Sequence, residues 1–203
     1  MPVISRLSQQ TKHPERVNLY IDEKYCCSLS MDEVVAQGLR KGDQLTESEL
    51  EQIKKLGLES KAYLLCTMKL LRRPHSEREI RDYLRRKKYD QELIDAVIER
   101  LYVYKYLDDR AFAEAWIESR RRSKQRSTRR LYQELLQKGI DRELTSELLE
   151  APHDDERTAL HELIARKQRQ ARYKDKLKLM QYLTRQGFAY SDIVDALDEG
   201  AGE

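Results

Sequence analysis

The 203 residues carry 39 Lys and Arg against 36 Asp and Glu, a formal net charge of +3, with 39% hydrophobic and 7% aromatic residues. Seven Gly and four Pro exclude an all-β sandwich, and the Ala/Leu/Glu/Lys/Arg/Gln-rich remainder favours helix. Net charge does not mark a nucleic-acid binder, but its distribution is uneven: residues 1–57 hold 8 Lys and Arg against 9 acids, and the rest hold 31 against 27.

Residues 3–30 read as strand. Val17, Leu19 and Ile21 alternate with polar neighbours, Asp22-Glu23-Lys24 interrupts, and Tyr25, Cys27 and Leu29 resume the alternation. That pattern is a hairpin with one apolar face, and Val3 to Leu7 offers a third strand. Ser30 with Glu33, and Thr46 with Glu49, are capping boxes that open short helices. The first runs to about Gly38. The second carries Leu50, Ile53 and Leu56 and is expected to stop at Gly57. Residues 1–57 are therefore expected to form a small α+β docking or capping unit.

From Leu58 the chain is helical and repeats. A shift of 51 sets Ser76 over Ser127, Ile80 over Leu131, Leu84 over Leu135, Lys88 over Gly139 and Asp90 over Asp141. A further shift of 48 sends Trp116 to Ile164, Leu131 to Leu179, Leu135 to Leu183 and Gly139 to Gly187. The matched positions are mostly those an amphipathic helix buries, so the units are tandem three-helix repeats. The boundaries read as 58–106, 107–152 and 153–203. In the first repeat, helix one spans about Ser60–Arg72, Ser76 caps helix two and Asp90 caps helix three. In the second, Asp108 or Asp109, Ser127 and Asp141 are the caps, and Gly139 ends helix two in the left-handed conformation. In the third, Asp154 or Asp155, Asp175 and Ser191 take the same places, with Gly187 as the stop. Units of this size hold little core of their own, so a mainly α, elongated, curved array is expected.

Positive charge recurs with the repeats. The first cluster is Arg72, Arg73, Arg78, Arg81, Arg85, Arg86, Lys87 and Lys88. The second is Arg120, Arg121, Arg122, Lys124, Arg126, Arg129 and Arg130, with no acid between its ends. The third is Arg166, Lys167, Arg169, Arg172, Lys174, Lys176 and Lys178, with Asp175 among them. Any solvated helix face would account for one such cluster. Three at equivalent places suit a polyanion or an acidic protein groove, and stacked units would align them in one stripe. The densest run, Arg120 to Arg130, is the strongest candidate.

Little else suggests chemistry. His13, His75, His153 and His161 are scattered without acidic partners, and His75 belongs to the Pro74 turn. Asp108 and Asp109 fit a helix cap better than a metal pair. Tyr102, Tyr104 and Tyr106 read as packing between the first two repeats, and Trp116 as a packing residue. No Gly-rich phosphate loop, nucleophile elbow or metal-ligand motif is present, which argues against an enzyme, a metal site or a cofactor. Cys26, Cys27 and Cys66 lack the spacing for zinc. Free thiols, the lack of a signal peptide and the lack of an apolar run near the roughly 20 residues of a membrane span point to the cytoplasm.

Several short motifs resemble the RecX family of bacterial recombinase regulators. They are Arg73-Pro74-His75-Ser76-Glu77-Arg78-Glu79-Ile80, then Tyr106-Leu107-Asp108-Asp109 with Phe112-Ala113 and Trp116, then Arg120, then Leu135-x-x-Lys138-Gly139-Ile140. The likeness covers about residues 58–200, and the N-terminus is similar to an extension found in some members. One departure is Ser123-Lys124-Gln125-Arg126, where many members have Gly or Gly-Pro. The resemblance implies a monomeric, non-enzymatic protein that lies in the groove of the RecA recombinase filament on DNA. It would block the filament's growth or promote its disassembly, with DNA in the filament as a further contact. The alternative is a helical-repeat protein that binds DNA directly through the basic stripe.

Overall fold

The computed structural model describes residues 1–124, 127–150 and 154–199. The chain divides into two compact units: residues 1–74 with 80–107, and residues 75–79 with 108–203.

The first unit opens with an antiparallel sheet of β1 (Ile4–Gln9), β2 (Arg16–Ile21) and β3 (Lys24–Ser30), in the order β1-β2-β3. Ile21 pairs with Lys24, so the β2–β3 turn has two residues, Asp22 and Glu23. Both take positive φ, 47° and 62°, the twist that a two-residue hairpin requires. The alternation in β2 puts Val17, Leu19 and Ile21 into a core with Ile4 and Leu29. Helix α1 (Met31–Ala36) follows, with both bonds of the Ser30/Glu33 capping box in place.

Helix α2 runs from Glu47 to Leu70, capped by the Thr46/Glu49 box. Gly57 therefore does not end a helix. It lies in the middle of one, buried, because α2 crosses β3 there. A Cβ on Gly57 would fall on the Cys27 Cβ and within 2.8 Å of its Sγ. The residue is needed for close approach of helix to sheet, and the segment expected as two helices is one. The first half of α2 covers the sheet. The second half supplies helix one of the first repeat, completed by α3 (Glu77–Arg86) and α4 (Gln91–Val103). Ala62, Cys66, Ile80, Leu84, Ile94 and Leu101 fill that repeat's core.

Buried Arg16 ties the sheet to α2, and half-buried Arg100 ties α4 to α1 and α2. Arg16 donates to Ser60 Oγ at 3.0 Å and to the Ser28 carbonyl at 2.7 Å, and its burial pushes its pKa down. Arg100 of α4 bonds Glu33 at 2.7 Å and lies 4.2 Å over the Tyr63 ring. Burial works against the Glu33 carboxylate, but bonds to Ser60, the Ser30 N–H and Arg100 outweigh it and hold its pKa below the usual value. Burial also pushes the Cys66 thiol up to about 12, which leaves it protonated and inert at neutral pH.

The second unit holds two repeats: α5 (Asp109–Lys124), α6 (Thr128–Gln137) and α7 (Arg142–Leu149), then α8 (Asp154–Gln168), α9 (Lys176–Arg185) and α10 (Tyr190–Glu199). A 3-10 turn, Ala171–Tyr173, joins α8 to α9. Ser127, Asp141 and Asp175 cap their helices as their positions predict. Asp108 caps α5, accepting from the Ala111 N–H at 2.9 Å. Ser191 is not a cap: α10 begins at Tyr190 and Ser191 sits inside its first turn. The Asp154 and Asp155 side chains lie outside the described residues. Gly139 and Gly187 take φ of 87° and 96°, the left-handed stops expected of them. In the first repeat Lys88 fills that place with φ 64° and no glycine.

Candidate functional site

The cation clusters sit where helix one meets helix two of each repeat, and each is built around an aromatic ring. In the first repeat the ring is Tyr83 of α3. Lys69 Nζ lies 5.2 Å and Lys87 Nζ 5.8 Å from its centroid. Arg81 pairs with Asp95 at 2.5 Å, and Arg85 with Asp82 at 3.2 Å. The Arg81 hydrogen bond comes first among the causes that hold the Asp95 carboxyl below its usual pKa. Arg72, Arg86, Lys87 and Lys88 are exposed, and among the described residues no carboxylate pairs with them.

In the second repeat the ring is Trp116 of α5, half-buried and stacked on Phe112 at 5.9 Å. Arg120 lies 4.2 Å and Lys138 4.6 Å from the indole. Here both cations meet acids. Glu134, a buried carboxylate on α6, accepts from Trp116 Nε1 at 3.2 Å and pairs with Arg120 at 3.3 Å and Arg130 at 3.5 Å. Lys138 pairs with Glu79 at 2.6 Å. Arg122 pairs with Glu118 one helical turn back. Of the seven cations between Arg120 and Arg130, only Arg121 and Arg129 are both described and exposed without an acid beside them. Arg126 and the Lys124 side chain lie outside the described residues.

In the third repeat two rings, Tyr173 and Tyr182, sit 5.1 Å apart. Lys167 lies 4.5 Å over Tyr182 and 5.1 Å over Tyr173, and Arg172 is 5.8 Å from Tyr173. Arg166, Arg169, Arg172 and Lys174 are exposed, and among the described residues no acid pairs with these four or with Lys167. Lys176 and Lys178 are paired, with Asp198 at 2.9 Å and Asp175 at 3.4 Å.

The charge pattern therefore locates the clusters but misplaces their weight. Its densest run is the one most engaged within the fold. The residues that decide this, Tyr83, Glu134 and Tyr182, fall on one another under the shifts of 51 and 48. The repeat register thus held the signal, in a position occupied by ring, acid and ring.

Other sequence candidates resolve simply. Asp109 accepts from the Glu77 N–H at 2.8 Å, bridging the start of α3 to α5. Burial, then the nearby Glu77 and Asp108 charges, push its pKa up against that hydrogen bond. Among the described residues no group of three His, Cys, Asp or Glu could hold a metal ion. His75 is buried at the Pro74 turn, His13 faces Glu15 and His161 faces Glu199; His153 lies outside the described residues. Tyr104 and Tyr106 turn edge-on to Tyr63 of their own repeat, and both rings remain exposed. Among the described residues no helix is long and apolar enough to cross a membrane.

Comparison with known proteins agrees with this architecture. Three family models match in chain order: the regulatory protein RecX N-terminal domain over residues 2–46, the RecX first three-helix domain over 62–101 and the second over 108–149. Proteins named regulatory protein RecX from Bacillus velezensis and Bacillus licheniformis are each 34% identical to it, over 98% of this chain and 78% of their own length. Among solved structures, a crystal structure of regulatory protein RecX superposes with a TM-score of 0.76 at 23% identity, covering 98% of this chain and all of that one. RecX from Lactobacillus salivarius gives 0.58 at 21% identity, over 70% of this chain and 95% of its own. Sheet, bridging helix and tandem three-helix repeats, matched over nearly the whole length, mean that the chain belongs to the RecX family of regulatory proteins.

Proposed function

We propose that this chain is a negative modulator of the RecA recombinase. It lies in the groove of the RecA–DNA filament and inhibits filament extension, ATP hydrolysis, strand exchange and co-protease activity, and so damps DNA repair and the SOS response. It acts in the cytoplasm by binding, without chemistry of its own. The observation that supports this best is the near full-length relation to regulatory RecX proteins, joined to a repeat that carries exposed cations in each copy. A tandem array offers several weak contacts to a periodic filament, and each bound unit raises the effective concentration of the next.

The test is inhibition of recombinase ATP hydrolysis on single-stranded DNA. The wild-type protein should inhibit, and a variant carrying Arg86→Glu, Arg121→Glu, Arg129→Glu and Arg169→Glu should not, with helix content unchanged. These four are exposed, and among the described residues no acid pairs with them, so their reversal should leave the fold intact. A wild-type protein that binds recombinase-coated DNA no better than bare DNA across a salt series would favour direct DNA binding instead.

A further inference from the structure

We infer that the tyrosine-held cations of the first and third repeats contact nucleic-acid phosphate, whereas the equivalent cations of the middle repeat form an internal latch and contact none. The inference deepens the filament reading and rests on it for the biological setting.

One side chain at this position decides how much charge its neighbours present. A ring that faces a cation attracts it through the quadrupole and fixes its position, yet leaves the full positive charge for another ligand. A carboxylate at the same place fixes the cation by neutralising it. Tyr83 and Tyr182 do the first, to Lys69 with Lys87 and to Lys167. Glu134 does the second, to Arg120 and Arg130.

Lys69, Lys87 and Lys167 are therefore held by rings with their charge intact, while Arg120 and Arg130 share one carboxylate that cancels half of theirs. Ordering matters because a free lysine loses rotamer entropy when it grips a ligand, and a lysine already lodged over a ring loses less. Lys167 sits against two rings, with Arg169, Arg172 and Lys174 exposed around it and no acid among them. Cations interleaved with aromatic rings, with no acid among the described residues paired to Lys69, Lys87 or Lys167, suit a single nucleic-acid strand, whose phosphates and bases offer both complements.

The experiment measures binding of the full chain to a fluorescein-labelled thymidine 30-mer by anisotropy across a salt series. Lys167→Gln with Arg172→Gln should weaken binding about tenfold and lower the salt slope by about 1.4, since each lost phosphate contact removes about 0.7 on a single strand. Lys87→Gln with Lys69→Gln should act in the same direction. Arg120→Gln should leave affinity and slope within about twofold of the wild type. Wild-type protein that fails to bind the oligonucleotide, or an outer-repeat variant that binds as well as wild type, overturns the inference. So does an Arg120→Gln loss as large as theirs. If the outer-repeat variants keep the oligonucleotide but lose recombinase in the absence of DNA, the clusters serve a protein and the inference fails. Loss of wild-type ATPase inhibition, by contrast, would remove the filament reading and leave the oligonucleotide result standing.

Discussion

Ser127 caps α6 and also donates its hydroxyl to the Gln186 carbonyl, 59 residues away, at 3.1 Å. Ser76 repeats the arrangement at the start of α3, accepting from the Glu79 N–H at 3.3 Å and donating to the Lys138 carbonyl at 2.6 Å. In both cases the accepting residue precedes a left-handed glycine, Gly187 or Gly139. A first-helix acid completes each junction: Asp109 takes the Glu77 N–H and Glu156 takes the Thr128 N–H. One hydroxyl thus serves the N-terminus of one helix and the C-terminus of the next repeat's equivalent helix, where orphan donors and acceptors both need partners.

Ser127→Ala should therefore cost about 1–3 kcal/mol, more than a cap alone, because the half-buried Gln186 carbonyl also loses its donor. Gly187→Ala should cost at least as much. Its φ of 96° is strained for any residue with a Cβ, and that Cβ would land on Ser127 Oγ and 3.0 Å from Arg130 Cβ. Urea unfolding of both single variants and the double should show less than additive loss, since Ser127→Ala removes the atom that Gly187→Ala strikes. Strict additivity would mean that the two residues act independently.

Gly57→Ala sets two effects against each other. Alanine within a helix is worth about 1 kcal/mol over glycine, which would stabilise α2. The new Cβ, however, meets Cys27 of β3 where helix and sheet pack, and overpacking of this kind typically costs about 1–3 kcal/mol. The clash should win, giving a net loss in thermal stability. Cys27→Gly in the same background should recover part of the loss. A gain in stability for Gly57→Ala would show that sheet and helix can part at little cost.

Much of this was legible in the sequence, and the exceptions share a cause. Ser30, Thr46, Asp90, Ser127, Asp141 and Asp175 announce their helices because a cap is a local bond between near neighbours. Gly139 and Gly187 are readable for the same reason. Gly57 misleads because a glycine that ends a helix and one that admits a strand look alike until the strand is in place. The cation clusters mislead similarly. Whether Arg120 or Lys167 is free depends on Glu134 or Tyr182 arriving from another helix, and periodicity does not weigh charges against their future neighbours.

Asp109→Asn should raise stability at neutral pH or leave it unchanged. Burial and the nearby carboxylates raise the Asp109 pKa in the folded chain. The folded state therefore holds the proton more tightly than the unfolded state. As pH rises from the unfolded value through the folded one, the contribution of this residue to stability falls, and above both the penalty is complete. Asparagine keeps a carbonyl for the Glu77 N–H and carries no charge. Melting curves from acid to neutral pH should show the variant gaining on the wild type through that interval. A variant that falls behind the wild type as pH rises would mean that the carboxylate charge is favourable to the helix N-terminus it faces.

Glu134 allows the latch reading of the middle repeat to be tested on stability alone. Glu134→Gln keeps an acceptor for Trp116 Nε1 but removes the charge shared by Arg120 and Arg130. Both guanidinium groups retain access to water, so the loss should stay near 1–2 kcal/mol, below that of a fully buried pair. Glu134→Ala also orphans the indole N–H and should cost about 1 kcal/mol more. Trp116 is the only tryptophan, so its fluorescence reports this repeat directly during denaturation. Adding Trp116→Phe to Glu134→Ala should then cost little further, because the ring keeps its stack on Phe112 and the lost hydrogen bond is already absent. If that second step costs as much as Trp116→Phe does in the wild-type chain, Glu134 and Trp116 are not coupled, and the middle repeat is held by packing alone.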